Sequence, residues 1–174
     1  MNVVLIGYRG TGKTAAGRIL AKRLSKGFAD TDEIVVERAG KSIPDIFADA
    51  GEEGFRKLEE EAVAEACSMK EVVIATGGGA VLSKKNIANL KNGSLVFWLH
   101  ATPEAIHNRI AGDTNRPNLT ENGGMAEIEE VLVKREGLYA GCADAVIDSD
   151  MELLPMVDSI IAAYNRLAGK KHGK

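Results

Sequence analysis

The sequence predicts an α/β fold: one doubly wound domain in which a five-stranded parallel sheet lies between two helical layers. Three observations carry this. Short apolar runs rich in β-branched residues, such as Val3-Val4-Leu5-Ile6 and Val72-Val73-Ile74-Ala75-Thr76, alternate with stretches of helical periodicity. The first and third runs end in glycines and the second in acids, as strand ends facing a ligand cleft do. At 174 residues the chain is long enough for one domain with a sizeable core.

The first strand, Val3–Ile6, runs into Gly7-Tyr8-Arg9-Gly10-Thr11-Gly12-Lys13-Thr14, which fits G-x-x-x-x-G-K-[ST]. A helix follows at once, with Ile19, Leu20 and Leu24 on one face. Glycines let successive backbone N–H groups converge on one concavity, and the helix N-terminus adds the positive end of its dipole. Gly10, Thr11, Gly12, Lys13, Thr14 and Ala15 are thus expected to cradle the phosphates of a nucleoside triphosphate. Lys13 is expected to reach the β- and γ-phosphates, and the Thr14 hydroxyl to ligate magnesium.

Phe28-Ala29-Asp30 reads as a short second strand entering an acidic turn, Asp30-Thr31-Asp32. Ser42-Ile43-Pro44-Asp45 opens a helix that ends near Gly51, and a longer one from about residue 52 to 69 places Phe55, Leu58, Ala62 and Ala66 on one face. Val72–Thr76 is the third strand and stops in Gly77-Gly78-Gly79. Ser94–Leu99 and Ala145–Ile147 are the fourth and fifth. Helices start near Ser83, Thr102 and Met125, and a last one covers roughly 154 to 167. Residues 1–168 form the domain, and 169–174 are a basic tail expected to fray.

Composition removes several function classes. With 22 basic against 25 acidic residues, the net charge of −3 argues against a nucleic-acid or membrane-surface binder. No apolar run approaches a membrane span, and the first strand is too short to be a secretory leader. Cys67 and Cys142 lie far apart and read as reduced thiols of a cytoplasmic protein, and the three histidines have no metal-ligand spacing. A monomer is the default, since the fold needs no second chain.

A GTPase would carry an N-K-x-D segment, which is absent, and an ordinary ATPase would end the third strand in an acid rather than glycines. Here the acids are Asp30 and Asp32. One could serve a magnesium shell while the other meets an acceptor hydroxyl; alone, the pair would read as a solvated turn. Small-molecule kinases need a lid to keep water from the phosphate, and the polar 112–124 segment, with Arg116 and Pro117, suits one.

Several separated motifs resemble the shikimate kinases. They are Phe28-Ala29-Asp30-Thr31-Asp32-Glu33-Ile34, Glu37, Gly40, Ser42-Ile43, Ile46-Phe47, Gly51-Glu52, Phe55-Arg56 with Glu59, Gly77-Gly78-Gly79-Ala80-Val81, Arg116-Pro117, and Arg135 with Leu138-Tyr139. The resemblance covers almost the whole chain in the family's order. It implies a P-loop kinase fold with a mobile lid, and transfer of the ATP γ-phosphate to the 3-hydroxyl of shikimate with Mg2+, on the way to chorismate and the aromatic amino acids. By resemblance, Arg56 and Arg135 bind the substrate carboxylate, Asp32 meets the reacting hydroxyl, and Gly77, Gly78 and Gly79 line the acceptor site. Asp30 and Thr14 serve the metal, Arg116 closes over the phosphates, and Arg109 lies against adenine. In isolation Arg56 and Arg135 would read as surface arginines.

The chain departs from the family pattern in three places. Gly137 stands where Pro is usual, which should loosen the backbone between Arg135 and Tyr139. Asn118-Leu119 replaces Leu-Leu after Arg116-Pro117, making the lid tip more polar. Residues 149–155 match poorly. A same-fold kinase for gluconate or a nucleoside monophosphate is the nearest alternative. An idle nucleotide-binding regulator is disfavoured by the intact set Lys13, Thr14, Asp30 and Asp32.

Overall fold

The computed structural model describes residues 1–111 and 118–172. Among these the sheet has five parallel strands: β1 (Asn2–Ile6), β2 (Gly27–Asp30), β3 (Val72–Ala75), β4 (Ser94–His100) and β5 (Ala145–Asp148). Their order is β2-β3-β1-β4-β5, with Val4 opposite both Ile74 of β3 and Val96 of β4. The chain leaves β1 for one edge, returns to its side at β3, then crosses to its other side at β4. β1 therefore marks the switch point beyond whose carboxyl end ligands bind in such sheets.

Period-two alternation sends the strand side chains to opposite layers. Val3, Leu5, Val73, Leu95, Phe97 and Leu99 pack beneath α1 (Lys13–Arg23) and α7 (Leu153–His172), against Leu20, Val157 and Ile160. Val4, Ile6, Ile74, Val96 and Trp98 face α3 (Ile43–Ser68), α4 (Lys84–Lys91) and α6 (Gly124–Cys142), against Val63, Leu90 and Tyr139. Two satellite clusters carry the walls of the site. One joins α2 (Thr31–Ala39) to α3 through Val35, Ile46, Phe55 and Ala62, and the other joins Tyr8 to Ile106 of α5 (Pro103–Ile110) and to Ile128 and Val131 of α6.

Local signals account for most boundaries. Ser42, Ser83 and Thr102 each cap a helix by accepting from the N–H three residues on, in α3, α4 and α5. Gly51, at φ 65°, interrupts α3 where one helix was expected to end and the next to begin. The Asp30–Asp32 stretch corrects the sequence reading: it is a strand-to-helix junction rather than a turn. Asp30 ends β2 and its carboxylate accepts from Asp32 N, so α2 starts at Thr31 and Asp32 lies in its first turn. α7 continues to His172, beyond the expected end near 167. α6 passes unbroken through Gly137. The expected lid lies partly outside the described residues, since 112–117, and with them Arg116, are not among them.

Gly7 has φ 144°, and a Cβ there would lie 2.5 Å from the Leu99 carbonyl oxygen. Only glycine lets the chain leave β1 this close to β4. Gly7→Ala is expected to destabilise the fold by about 2 kcal/mol or more, because the neighbour it meets is backbone and cannot rotate away. Urea denaturation of the two proteins checks this; equal midpoints would refute it.

Candidate functional site

The loop between β1 and α1 is built to hold an anion. Gly10 and Gly12 take φ 78° and 88°, and a Cβ on Gly10 would strike the Ile110 side chain at 2.6 Å. Gly12 caps α1 and has no side chain to accept from the helix's first N–H groups. A helix start of this kind is where an anion binds. Thr11 is buried and its hydroxyl donates to Tyr8 O at 2.9 Å, which stiffens the loop. The buried Lys13 ammonium lies across the loop, donating to Gly7 O at 2.9 Å and Tyr8 O at 2.7 Å. Ala15 is exposed in the first turn of α1.

Beside the loop, the Thr14 hydroxyl donates to Asp30 Oδ2 at 2.7 Å while Asp30 Oδ1 accepts from Asp32 N. Burial raises the Asp30 carboxyl above its ordinary range, and the Thr14 hydrogen bond only partly opposes this. No cluster of three or more His, Cys, Asp or Glu that could hold a metal occurs among the described residues. A magnesium ion bound with a nucleotide needs none, because phosphates and waters fill most of its octahedral shell. A hydroxyl and a carboxylate in contact at the helix start fit that donor set.

The triple glycine after β3 forms the other wall. Gly77 N donates to Thr31 Oγ1 at 3.0 Å, tying the run to the start of α2. A Cβ on Gly77 would sit 2.8 Å from both Asp32 Oδ1 and Glu59 Oε1. One on Gly78 would lie 3.2 Å from Arg9 N and 3.5 Å from Gly7 O, so this run rests directly on the phosphate loop. One on Gly79 would fall on the Arg56 guanidinium. The glycines are what allow Asp32, Glu59 and Arg56 to close around one point.

Arg56 is held, not loose. Its Nη1 donates to the buried Glu59 at 2.7 Å, its Nη2 to Glu52 at 3.3 Å, and the guanidinium lies 5.3 Å from the Phe55 ring centroid. Arg135, on α6, is only 7% exposed and is no surface arginine. It neighbours Tyr139, whose hydroxyl donates to Gly78 O at 2.6 Å and is pushed up to about 12, chiefly by burial and against the pull of Arg135. Tyr8, Arg9, Phe47, Arg56, Gly78, Gly79, Leu119 and Arg135 line one cleft. Three arginines on one cleft suit an anion. Arg109 stands apart: it donates to Gly10 O at 3.4 Å and to Ser149 O at 2.6 Å, bridging the loop to the turn after β5.

Of the site residues singled out in the sequence, Arg116 lies outside the described residues and Arg109 stands apart; the loop residues and the cleft residues meet at Gly78. Sequence reasoning assigned no role to Glu59, Arg9, Tyr8, Phe47, Leu119 or Glu127. Glu59 left a signal, since three residues after Arg56 on a helix is ion-pair spacing. Arg9 and Glu127, paired at 2.8 Å, are 118 residues apart and left none.

Comparison with known proteins decides the family. The family model described as shikimate kinase matches residues 9–165. The chain belongs to the shikimate kinase family. It is 42% identical over 170 residues to the shikimate kinase of Caldanaerobacter subterraneus subsp. tengcongensis, covering 97% of this chain and 99% of that one. It superposes on the shikimate kinase from Acinetobacter baumannii in complex with shikimate with a TM-score of 0.91 at 34% identity, covering 97% and 94% of the two chains. A gluconokinase from Sinorhizobium meliloti 1021 reaches a TM-score of 0.63 at 16% identity, covering 98% of this chain and 95% of that one, and shares the fold alone.

The raised Asp30 carboxyl carries a pH signature. A buried acid with an elevated folded-state pKa costs stability once the pH exceeds its ordinary value, because the unfolded chain then ionises more readily than the folded protein. The cost is absent below the ordinary value of 3.8, grows as pH rises through the raised value, and is complete above it. Asn can still accept from Asp32 N and donate to Thr14 Oγ1. The free Asp30→Asn protein is therefore expected to match or exceed the parent's stability near pH 7, with the gain vanishing as pH falls towards about 4. Urea midpoints across that range check it. A constant offset at all pH values would refute the assignment.

Proposed function

We propose that this protein transfers the γ-phosphoryl group of ATP to the 3-hydroxyl of shikimate, giving 3-phosphoshikimate and ADP. The observation that carries the reading is the contact of the triple glycine with the phosphate loop, because an arginine-lined cleft beside that loop supports an acceptor site next to the donor. A compact carboxylate bearing hydroxyls matches that cleft. Arg56 and Arg135 supply fixed charge for the carboxylate, and Asp32 supplies a hydrogen-bond acceptor for the reacting hydroxyl.

Phosphoryl transfer proceeds through a loose transition state, so positioning and charge stabilisation matter more than deprotonation. Asp32 orients the hydroxyl oxygen towards the phosphorus and accepts its proton as the O–P bond forms. The amides of Gly10 to Ala15 bind the phosphates, and Lys13 offsets the charge that gathers on their oxygens. Thr14 and Asp30 are the residues that would hold Mg2+, Asp30 through water; bound with ATP, the ion supplies further charge neutralisation. The Gly77–Gly79 backbone lets the ring approach the main chain, and Arg109 offers a planar surface for adenine. Arg116, outside the described residues, is assigned to the phosphates on the family resemblance. The reading includes a monomer in the cytoplasm, the location supported by the free thiols of Cys67 and Cys142. No helix among the described residues is long and apolar enough to cross a membrane.

A coupled ADP-release assay tests the activity. Release is expected to require both shikimate and magnesium, with gluconate and nucleoside monophosphates as control acceptors. Equal release without acceptor, or faster release with gluconate, would overturn the reading.

Kinetic signatures separate the roles. Arg56→Ala and Arg135→Ala are each expected to raise the shikimate KM by about ten- to a hundredfold with ATP binding nearly unchanged. Asp32→Asn is expected to lower kcat by about a hundredfold or more at saturating shikimate. Unaltered shikimate binding by calorimetry in both arginine variants would show that the carboxylate lies elsewhere.

A further inference from the structure

The acceptor cleft contains a third arginine, Arg9, and what holds it belongs to another part of the chain. Glu127 lies in the first turn of α6 and is fully buried. Its Oε1 accepts from Arg9 Nη2 at 2.8 Å, while its Oε2 accepts from Leu119 N at 2.8 Å and Thr120 N at 3.0 Å. Arg9 and Leu119 both line the acceptor cleft, and so does Arg135, two turns further along the helix that bears Glu127. A single carboxylate thus ties the phosphate loop, the segment entering α6 and α6 itself.

The chemistry of this junction demands a carboxylate. All three groups that meet Glu127 among the described residues are N–H donors, and an ionised carboxylate can accept from all of them. A buried charge is tolerated only when paired and hydrogen-bonded in this way. Glutamine has nearly the same shape but carries one acceptor oxygen and one NH2. Its NH2 would confront either the Arg9 guanidinium or the two backbone amides, so one wall would lose its anchor. The Arg9 Nε is also shielded from solvent and has no hydrogen-bond partner among the described residues. Glu127 therefore fixes Arg9 without using all its donors.

We propose that Glu127 is a positioning residue for acceptor binding. It fixes Arg9 and the Leu119–Thr120 backbone as walls of the cleft, and so sets affinity for the acceptor without touching it. The proposal rests on the acceptor-site reading above and deepens it.

The test compares the parent with Glu127→Gln, Arg9→Gln and the double variant, assayed well below each protein's Tm. Glu127→Gln is expected to raise the shikimate KM by about tenfold or more while the ATP KM stays within about twofold, since a charged hydrogen bond is lost on one side only. In the free protein the Leu119 and Thr120 amides are expected to exchange about tenfold faster or more. Arg9→Gln should raise the shikimate KM but leave those two amides protected. The double variant should be little worse than Glu127→Gln alone, because the two residues act as one unit. A merely structural brace would lower Tm without splitting the two KM values. An unchanged shikimate KM in Glu127→Gln, parallel rises in both KM values, or strictly additive effects would each overturn the proposal. If Glu127→Gln does not fold, Arg9→Gln decides alone, by the same KM split. Should the parent not turn over shikimate, the functional reading fails, and the amide exchange, which needs no acceptor, still shows whether Glu127 holds this wall.

Discussion

The constraint on which the site depends is the close approach of two glycine runs at the carboxyl ends of β1 and β3. The strands are hydrogen-bonded neighbours, with Leu5 opposite Ala75, and Thr76 closes the pair by donating from both N and Oγ1 to Leu5 O. Beyond that point the chains would diverge if ordinary side chains stood there. Gly7 and Gly78 remove the obstacle, and the donor and acceptor halves share a wall of bare backbone. Everything else is arranged around that wall: Asp32 and Glu59 above Gly77, Arg56 on Gly79, and Tyr139 donating to Gly78 O.

Such a wall is useful because transfer to a hydroxyl must outcompete transfer to water. Backbone groups are fixed donors and acceptors that need no reorganisation, and they occupy little space, so the reacting groups can meet without intervening solvent. The charged side chains are treated the same way. Arg56 is clamped by Glu59 and Glu52, Arg9 by Glu127, and Lys13 by loop carbonyls, so the cations are preorganised before any ligand arrives. Asp30 is the exception, a carboxyl whose burial works against its charge.

What could be read from the sequence was whatever a short stretch of chain specifies by itself. The phosphate loop is a run of consecutive residues whose backbone conformation depends on its own glycines, and it was legible in full. So were the serine and threonine caps at 42, 83 and 102 and the break at Gly51, each a local hydrogen bond or a local φ. The Asp30–Asp32 junction was misread because an Asx cap and an acidic turn share the same residue types, and only the strand before it and the helix after it tell them apart.

The acceptor cleft was decided by tertiary structure. Motif resemblance pointed to Arg56, Arg135 and Asp32, but nothing local distinguishes a buried arginine from an exposed one on a helix with the pattern Lys134-Arg135-Glu136. Burial of Arg135 follows from α6 packing on the sheet through Tyr139 and Cys142. The Arg9–Glu127 pair joins residues 118 positions apart, and Tyr139 reaches Gly78 across 61. Sequence alone determined the alternation of strands and helices, the loop that takes the phosphates, and the inventory of charged side chains. Which charges from distant segments face one another was set only when the strand order β2-β3-β1-β4-β5 brought those segments to the same end of the sheet, because a long-range Coulombic or hydrogen-bonded pair depends on distance in space and leaves no periodic trace along the chain.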